Sequence, residues 1–137
     1  MKNRPYTEAL SIVRAAGLRP TRQRLALFQL LFGGADRHVT AEELHSQAQR
    51  KRAKVSLATV YNTLRQFTRA GLLREVAIGA GRSYFDTNVS HHHHFYYSDD
   101  GELVDIPGNM VALKELPPAP DGSEVERVDI IVRLRGL

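Results

Sequence analysis

The chain has no cysteine among its 137 residues. Disulfides, thiol catalysis and any cysteine-ligated zinc or iron–sulfur site are thereby excluded. Long hydrophobic runs are also missing. No apolar stretch approaches the ~20 residues that a membrane span requires. The first residues, Met1-Lys2-Asn3-Arg4-Pro5-Tyr6, lead into polar sequence with no hydrophobic region, so no secretory leader and a cytoplasmic location are expected. No internal repeat is visible. Neither HExxH nor HxHxDH occurs, and a catalytic zinc needs three protein ligands plus an open position with an acid–base partner. A small metalloenzyme is therefore a remote alternative, and no catalytic residue is assigned.

What is present is divided unevenly. Hydrophobic residues make up 42% of the chain, enough for a core, and the length allows one domain or two very small ones. Residues 1–73 hold 13 Lys/Arg against 4 Asp/Glu, a net of +9. Residues 74–137 hold 6 against 11, a net of −5, which together give the overall +4. The basic half suggests a polyanion partner and the acidic half suggests cations, although a solvated basic face has the same composition.

Four helices and then strands are expected. The first helix runs from about Tyr6 to Ala16 and stops at Gly17. Thr21 caps a second, with Leu25, Phe28, Leu31 and Phe32 as its apolar stripe and Gly33-Gly34 as its end. Thr40-Ala41-Glu42-Glu43 is a capping box opening a third helix to about Arg52. Ser56 caps a fourth, which buries Leu57, Val60, Leu64 and Phe67 and ends at Gly71. The period then changes. Leu73 to Ile78 and Arg82 to Asp86 read as two strands joined by Gly79-Ala80-Gly81. Helices followed by such a ribbon make a winged helix-turn-helix. A second unit has strands near Phe95–Ser98 and Leu103–Ile106, a short helix near Asn109–Glu115, a Pro-rich loop, and a last strand alternating at Val128, Ile130, Val132 and Leu134. The expected class is mixed α and β: a winged helix-turn-helix domain over 1–87, a hinge at 88–90, and a small α/β dimerisation domain over 91–137. That second unit is too small to bury much core alone, so it is expected to pair with a copy of itself.

The chemistry concentrates in two places. His91-His92-His93-His94 lies inside a folded-looking segment, flanked by aromatic residues and by Asp86 and Asp105. An extended backbone sends His92 and His94 to one face and His91 and His93 to the other, so each pair can aim two imidazoles at one ion. Asp86 and Asp105 can add oxygens, and His38 lies in the other unit. Nitrogen and carboxylate donors without thiolate fit Fe(II), Mn(II) or Zn(II). A solvated polar turn is the plain alternative. His45 has no partner in view. On the fourth helix, Ala58, Thr59, Asn62, Gln66 and Arg69 fall opposite the apolar stripe, with Tyr61 at its border. This face suits a major groove, although an ordinary amphipathic surface helix looks similar. Arg19, Arg22 and Arg24 are candidate phosphate contacts.

Six segments carry a family resemblance. They are Gly17-Leu18-Arg19-Pro20-Thr21-x-x-Arg24, His38-x-Thr40-Ala41-Glu42-Glu43-Leu44, Thr59-Val60-Tyr61-x-Thr63-Leu64, Gly71-Leu72, Tyr84-Phe85-Asp86, and the histidine run before Asp100-Gly101. Together, over about residues 8–107, they resemble the ferric uptake regulator (Fur) family. Ser-His-His-His-His followed by Asp-Ile-Pro without cysteine looks most like its iron response regulator branch, which is linked to haem. The resemblance implies a transcription regulator of iron and haem homeostasis that binds a double-stranded DNA operator as a homodimer. It implies a metal site at His38, Asp86, His92, His94 and Asp105, and a second metal or haem site at His91, His92 and His93. It implies DNA contacts from Arg19 and from the recognition helix, through Ser56, Ala58, Thr59, Tyr61, Asn62 and Gln66. The implied cofactor is Fe(II), Mn(II) or Zn(II), with haem as a second effector whose delivering protein the sequence does not name. The alternative within the family is a repressor that senses iron, manganese or peroxide directly, and aspartate at 86 resembles the peroxide-sensing branch. The family's structural zinc with two CxxC pairs has no counterpart, because Tyr97 and Asp100 stand at the first pair.

Overall fold

The computed structural model describes residues 5–137, with side chains from Thr7 onward. Met1–Arg4, part of the stretch read for a leader, lie outside the described residues. The chain divides into two compact units, 1–89 and 90–137.

The first unit is built on capped helices. Helix α1 spans Pro5–Ala15. Helix α2 spans Arg22–Phe32, and the Thr21 hydroxyl accepts the Arg24 N–H. Helix α3 spans Ala41–Arg50, with both halves of the Thr40/Glu43 capping box formed. Helix α4 spans Leu57–Arg69, capped by Ser56. Each such cap satisfies N–H groups that would otherwise be unpaired, and is worth about 0.5–2 kcal/mol. The apolar stripes meet in one core. Leu27, Leu31, Leu44, Val60, Leu64 and Phe67 are fully buried there, and Phe28 meets Phe67 edge-on at 6.2 Å.

Three details depart from what the sequence suggests. Leu27 and Thr63 are buried, whereas Phe32 and Leu57 only pack against the core's margin. Helix α3 ends at Arg50 rather than Arg52, because Arg52 turns into the left-handed region at φ 59°. The segment before α3 is also a strand rather than plain loop. Strand β1, His38–Val39, pairs with β3.

Strand β2 spans Arg74–Gly79 and β3 spans Arg82–Asp86, forming with β1 an antiparallel sheet of order β1-β3-β2. Gly79, Ala80 and Gly81 all have positive φ at the tip of the ribbon. Four helices and this sheet make the winged helix-turn-helix.

The second unit is a three-stranded sheet of order β5-β4-β6. Strand β4 spans His92–Tyr97, so the strand expected from Phe95 begins three residues earlier and contains His92, His93 and His94 of the histidine run. Antiparallel β5, Leu103–Pro107, pairs His94 with Asp105 and His92 with Pro107. The helix expected near Asn109–Glu115 is not formed. A single 3-10 turn over Gly108–Met110 stands in its place, because so short a segment has no buried face to stabilise it. The last strand is shorter than its alternation suggests. Strand β6 spans Ile131–Leu134 and runs parallel to β4. No helix is long and apolar enough to cross a membrane among the described residues.

Candidate metal centre and nucleic-acid interface

The pleat of β4 places the histidines as an extended chain requires. His92 and His94 pack ring against ring at 4.6 Å on one face, and His91 and His93 at 4.9 Å on the other. His92, His93 and His94 are 3%, 3% and 1% exposed, so none is a solvated turn residue. Antiparallel pairing then brings the β5 carboxylate over the first face. Asp105 Oδ1 lies 3.7 Å from His92 Nε2 and 3.4 Å from His94 Nε2. Each of these three residues offers a ligand atom within 4.8 Å of the others.

Hydrogen bonding prepares this face for a cation. His92 Nδ1 sits 2.7 Å from the Ser90 carbonyl oxygen. A carbonyl only accepts, so Nδ1 carries the proton and Nε2 keeps its lone pair on the Asp105 side. Two imidazoles and a carboxylate without thiolate fit a first-row divalent ion.

The opposite face is engaged differently. The Ile130 N–H donates to His93 Nδ1 at 3.2 Å, tying β4 to the segment that enters β6. His91 is exposed. Strand β4 sends His92 away from His91 and His93, so the three imidazoles expected for a second metal or haem do not converge on one atom.

In the first unit, the β1–β3 register sets His38 directly across from Asp86. The His38 ring meets Tyr84 edge-on at 6.4 Å. Asp86 is buried and accepts the Asn88 N–H at 2.9 Å. His45 is a structural histidine, with Nε2 3.1 Å from the Val55 carbonyl.

On α4, Ala58, Asn62, Arg65 and Arg69 are exposed, with Tyr61, Thr59 and Gln66 half-buried on the flanks. Ser56 and Thr59 are engaged with each other. The Ser56 hydroxyl accepts the Thr59 N–H at 3.1 Å and donates to Thr59 Oγ1 at 3.0 Å. The Tyr61 hydroxyl donates to Glu42 Oε2 at 2.9 Å, and the Arg65 guanidinium stands over the Tyr61 ring at 5.4 Å. The hydrogen bond to Glu42 raises the phenol above its ordinary value of 10.0, helped by partial burial and the Glu42 charge and opposed by Arg65. Thr40, Glu42, Tyr61, Arg65 and the ribbon residues Glu75 and Arg82 line a cavity of about 630 Å³. Arg19 is exposed, as a DNA contact requires. Arg24 is not a free phosphate ligand, since its guanidinium donates to Gln66 and to the Arg19 carbonyl. Periodicity along one helix could not reveal this, because Arg24 and Gln66 are 42 residues apart. Glu42 was missed as a partner of Tyr61 for the same reason.

A winged helix-turn-helix joined to a small sheet bearing imidazoles and a carboxylate defines a class of regulators rather than enzymes. The family model described as the ferric uptake regulator family matches residues 15–130, and the chain belongs to that family. It is 36% identical over 98 residues to the peroxide-responsive repressor PerR of Staphylococcus epidermidis, covering 72% of this chain and 65% of that protein. It is 37% identical to the peroxide operon regulator of Bacillus subtilis, covering 72% and 67%. The chain thus spans about two thirds of the length of these relatives. The ferric uptake regulator of Pseudomonas aeruginosa with manganese superposes with a TM-score of 0.67 at 26% identity, covering 92% of this chain and 96% of that one. That of Vibrio cholerae superposes with a TM-score of 0.72 at 23% identity, covering 93% and 98%.

Proposed function

We propose that the chain is a metal-responsive transcription regulator that binds a double-stranded DNA operator as a homodimer in the cytoplasm and serves iron and haem homeostasis, in the manner of the iron response regulator branch. The observation that carries the metal response is the face of β4 and β5 where buried His92 and His94 meet Asp105 at 3.7 and 3.4 Å. The proposed ligands are these three residues with His38 and Asp86 of the first unit. Fe(II), Mn(II) or Zn(II), when bound, supplies a fixed positive charge that holds its ligands in one geometry. The Ser90 carbonyl keeps the His92 proton away from the coordinating nitrogen. Asp105 adds the negative charge that offsets the cation.

The proposed DNA contacts are Arg19, Ser56, Ala58, Thr59, Tyr61, Asn62 and Gln66. Ser56 and Thr59 would act mainly through the N-terminal turn of α4, which their mutual hydrogen bonds order. Arg19 would hold phosphate or enter a minor groove. Support for the iron and haem assignment is the cysteine-free histidine run followed by Asp105-Ile106-Pro107.

A second reading is a peroxide-sensing repressor. It is favoured by Asp86 and by the 36% and 37% identity to peroxide regulators. One experiment separates the two. A duplex selected from randomised DNA is titrated with protein carrying Mn(II), Fe(II) or Zn(II), then with haem, then with Fe(II) followed by peroxide. Metal is expected to raise affinity. Haem lowering it supports the iron-response reading, whereas peroxide releasing DNA only from the Fe(II) form supports the other. No change with any metal would reject both.

A further inference from the structure

We propose that Arg24 fixes the hydrogen-bonding polarity of Gln66 and makes it a donor-only reader of base edges. The inference rests on the DNA-binding reading above. Gln66 lies half-buried on the flank of the outward face of α4, beside exposed Asn62 and Arg69. Arg24, on the first turn of α2, reaches across to it. Its Nε donates to Gln66 Oε1 at 3.2 Å and its NH2 at 2.8 Å. Its NH1 donates to the Arg19 carbonyl.

A guanidinium has five donors and no acceptor. The amide atom facing it must therefore be the oxygen. Two donors on Oε1 use both of its lone pairs. Turning the amide over would set its NH2 group against the guanidinium, two donors facing each other with no acceptor between them. No described residue accepts from the Gln66 amide nitrogen.

The consequence concerns base choice. A free glutamine commonly reads adenine with both ends of its amide, accepting from N6 and donating to N7. Gln66 lacks the accepting end. It can only donate, to a purine N7, to guanine O6 or to thymine O4. Adenine loses the advantage of its N6 amine, and bases presenting acceptors alone are favoured. Arg24 touches no base in this account and is a positioning residue. By also holding the Arg19 carbonyl, it ties the loop carrying Arg19 to the same amide.

The test uses the full chain with Mn(II) and a pool of randomised double-stranded DNA. Affinities are then measured on the selected duplex with all four base pairs at each position. Gln66→Ala is expected to flatten discrimination at one position by about 5- to 10-fold, the scale of a base contact. Gln66→Glu keeps the fork to Arg24 but has no donor, so preference there should turn toward adenine or cytosine, which present amines. Arg24→Met frees Oε1 and should raise adenine at that position by about 5-fold relative to guanine and thymine. Arg24→Lys, which keeps a donor-only cation but loses the fork, should shift the preference less than Arg24→Met. A merely structural effect lowers affinity for all duplexes together and leaves the ratios between bases unchanged. If Arg24→Met keeps the wild-type ratios, or neither Gln66 variant alters any position, the inference is overturned. If wild type selects no sequence at all, the DNA-binding reading itself fails.

Discussion

At the scale of single residues, partner geometry decides what each polar group can do. Tyr61 is a clear case, because its hydroxyl donates to Glu42 and this raises the phenol above 10.0. The folded value exceeds the unfolded one, so the contact stabilises the fold fully below about pH 10 and is lost as pH rises through the folded value. Glu42→Gln should therefore lower the pH at which this phenol ionises, as phenolate absorbance will show. Tyr61→Phe should abolish the extra loss of stability on that alkaline limb. An unchanged titration in Glu42→Gln would mean that the hydrogen bond is not made in solution. Candidate ligands were readable at this scale because an extended strand fixes which histidines share a face. The roles of Arg24 and Glu42 were not readable, since their partners Gln66 and Tyr61 are brought near only by the packing of α2 and α3 against α4.

Among elements, the legible ones were those with local signals at both ends. Thr21, Thr40 and Ser56 each cap the helix expected of them. Elements without such signals were misjudged. Strand β1 has two residues and exists only through its pairing with β3. Strand β4 begins at His92 because Asp105, Ile106 and Pro107 lie opposite, a non-local cause that histidine's own propensity does not reveal. The 3-10 turn after β5 has a further reason to stop the chain from coiling on. A side chain at Gly108 would come within 2.6 Å of both the His91 ring and the His91 carbonyl oxygen. Because one of those atoms is backbone, the start of β4 would have to shift. Gly108→Ala is therefore expected to cost about 1–3 kcal/mol. Its melting temperature should fall, with the backbone resonances of His91 and His92 displaced. An unaltered melting temperature would show that the chain yields there at no cost. Thr40→Ala, which removes half of the capping box, should cost about 0.5–2 kcal/mol and be measurable by urea unfolding.

For the whole molecule, the uneven charge matches the division into units. The basic stretch 1–73 lies within the winged-helix unit, and the acidic remainder supplies the sheet with His92, His94 and Asp105. Residues 90–137 form a three-stranded sheet whose last strand is only half-buried, and a unit of that size is poorly stabilised alone. Sedimentation should therefore find a dimer at micromolar concentration, and a stable folded monomer would contradict this. Metal occupancy then acts on the stability of a unit that has little to spare. An ion that binds the folded sheet and not the unfolded chain stabilises it by about 2.7 kcal/mol at a free concentration one hundred times its dissociation constant. His92→Ala and His94→Ala each remove one imidazole from the face shared with Asp105. Both should lose most of the Mn(II)-induced rise in melting temperature, whereas His45→Ala, whose ring bonds the Val55 carbonyl, should keep it. The proposed contribution of Asp86 has its own signature. If Asp86 is a ligand, Mn(II) should raise the unfolding temperature of the winged-helix unit as well, and Asp86→Ala should cancel that second effect while leaving part of the first. Calorimetry with and without Mn(II) resolves the two transitions. A wild-type scan in which Mn(II) moves only the transition of residues 90–137 would remove Asp86 and His38 from the ligand set and with them the proposed coupling of metal to DNA affinity.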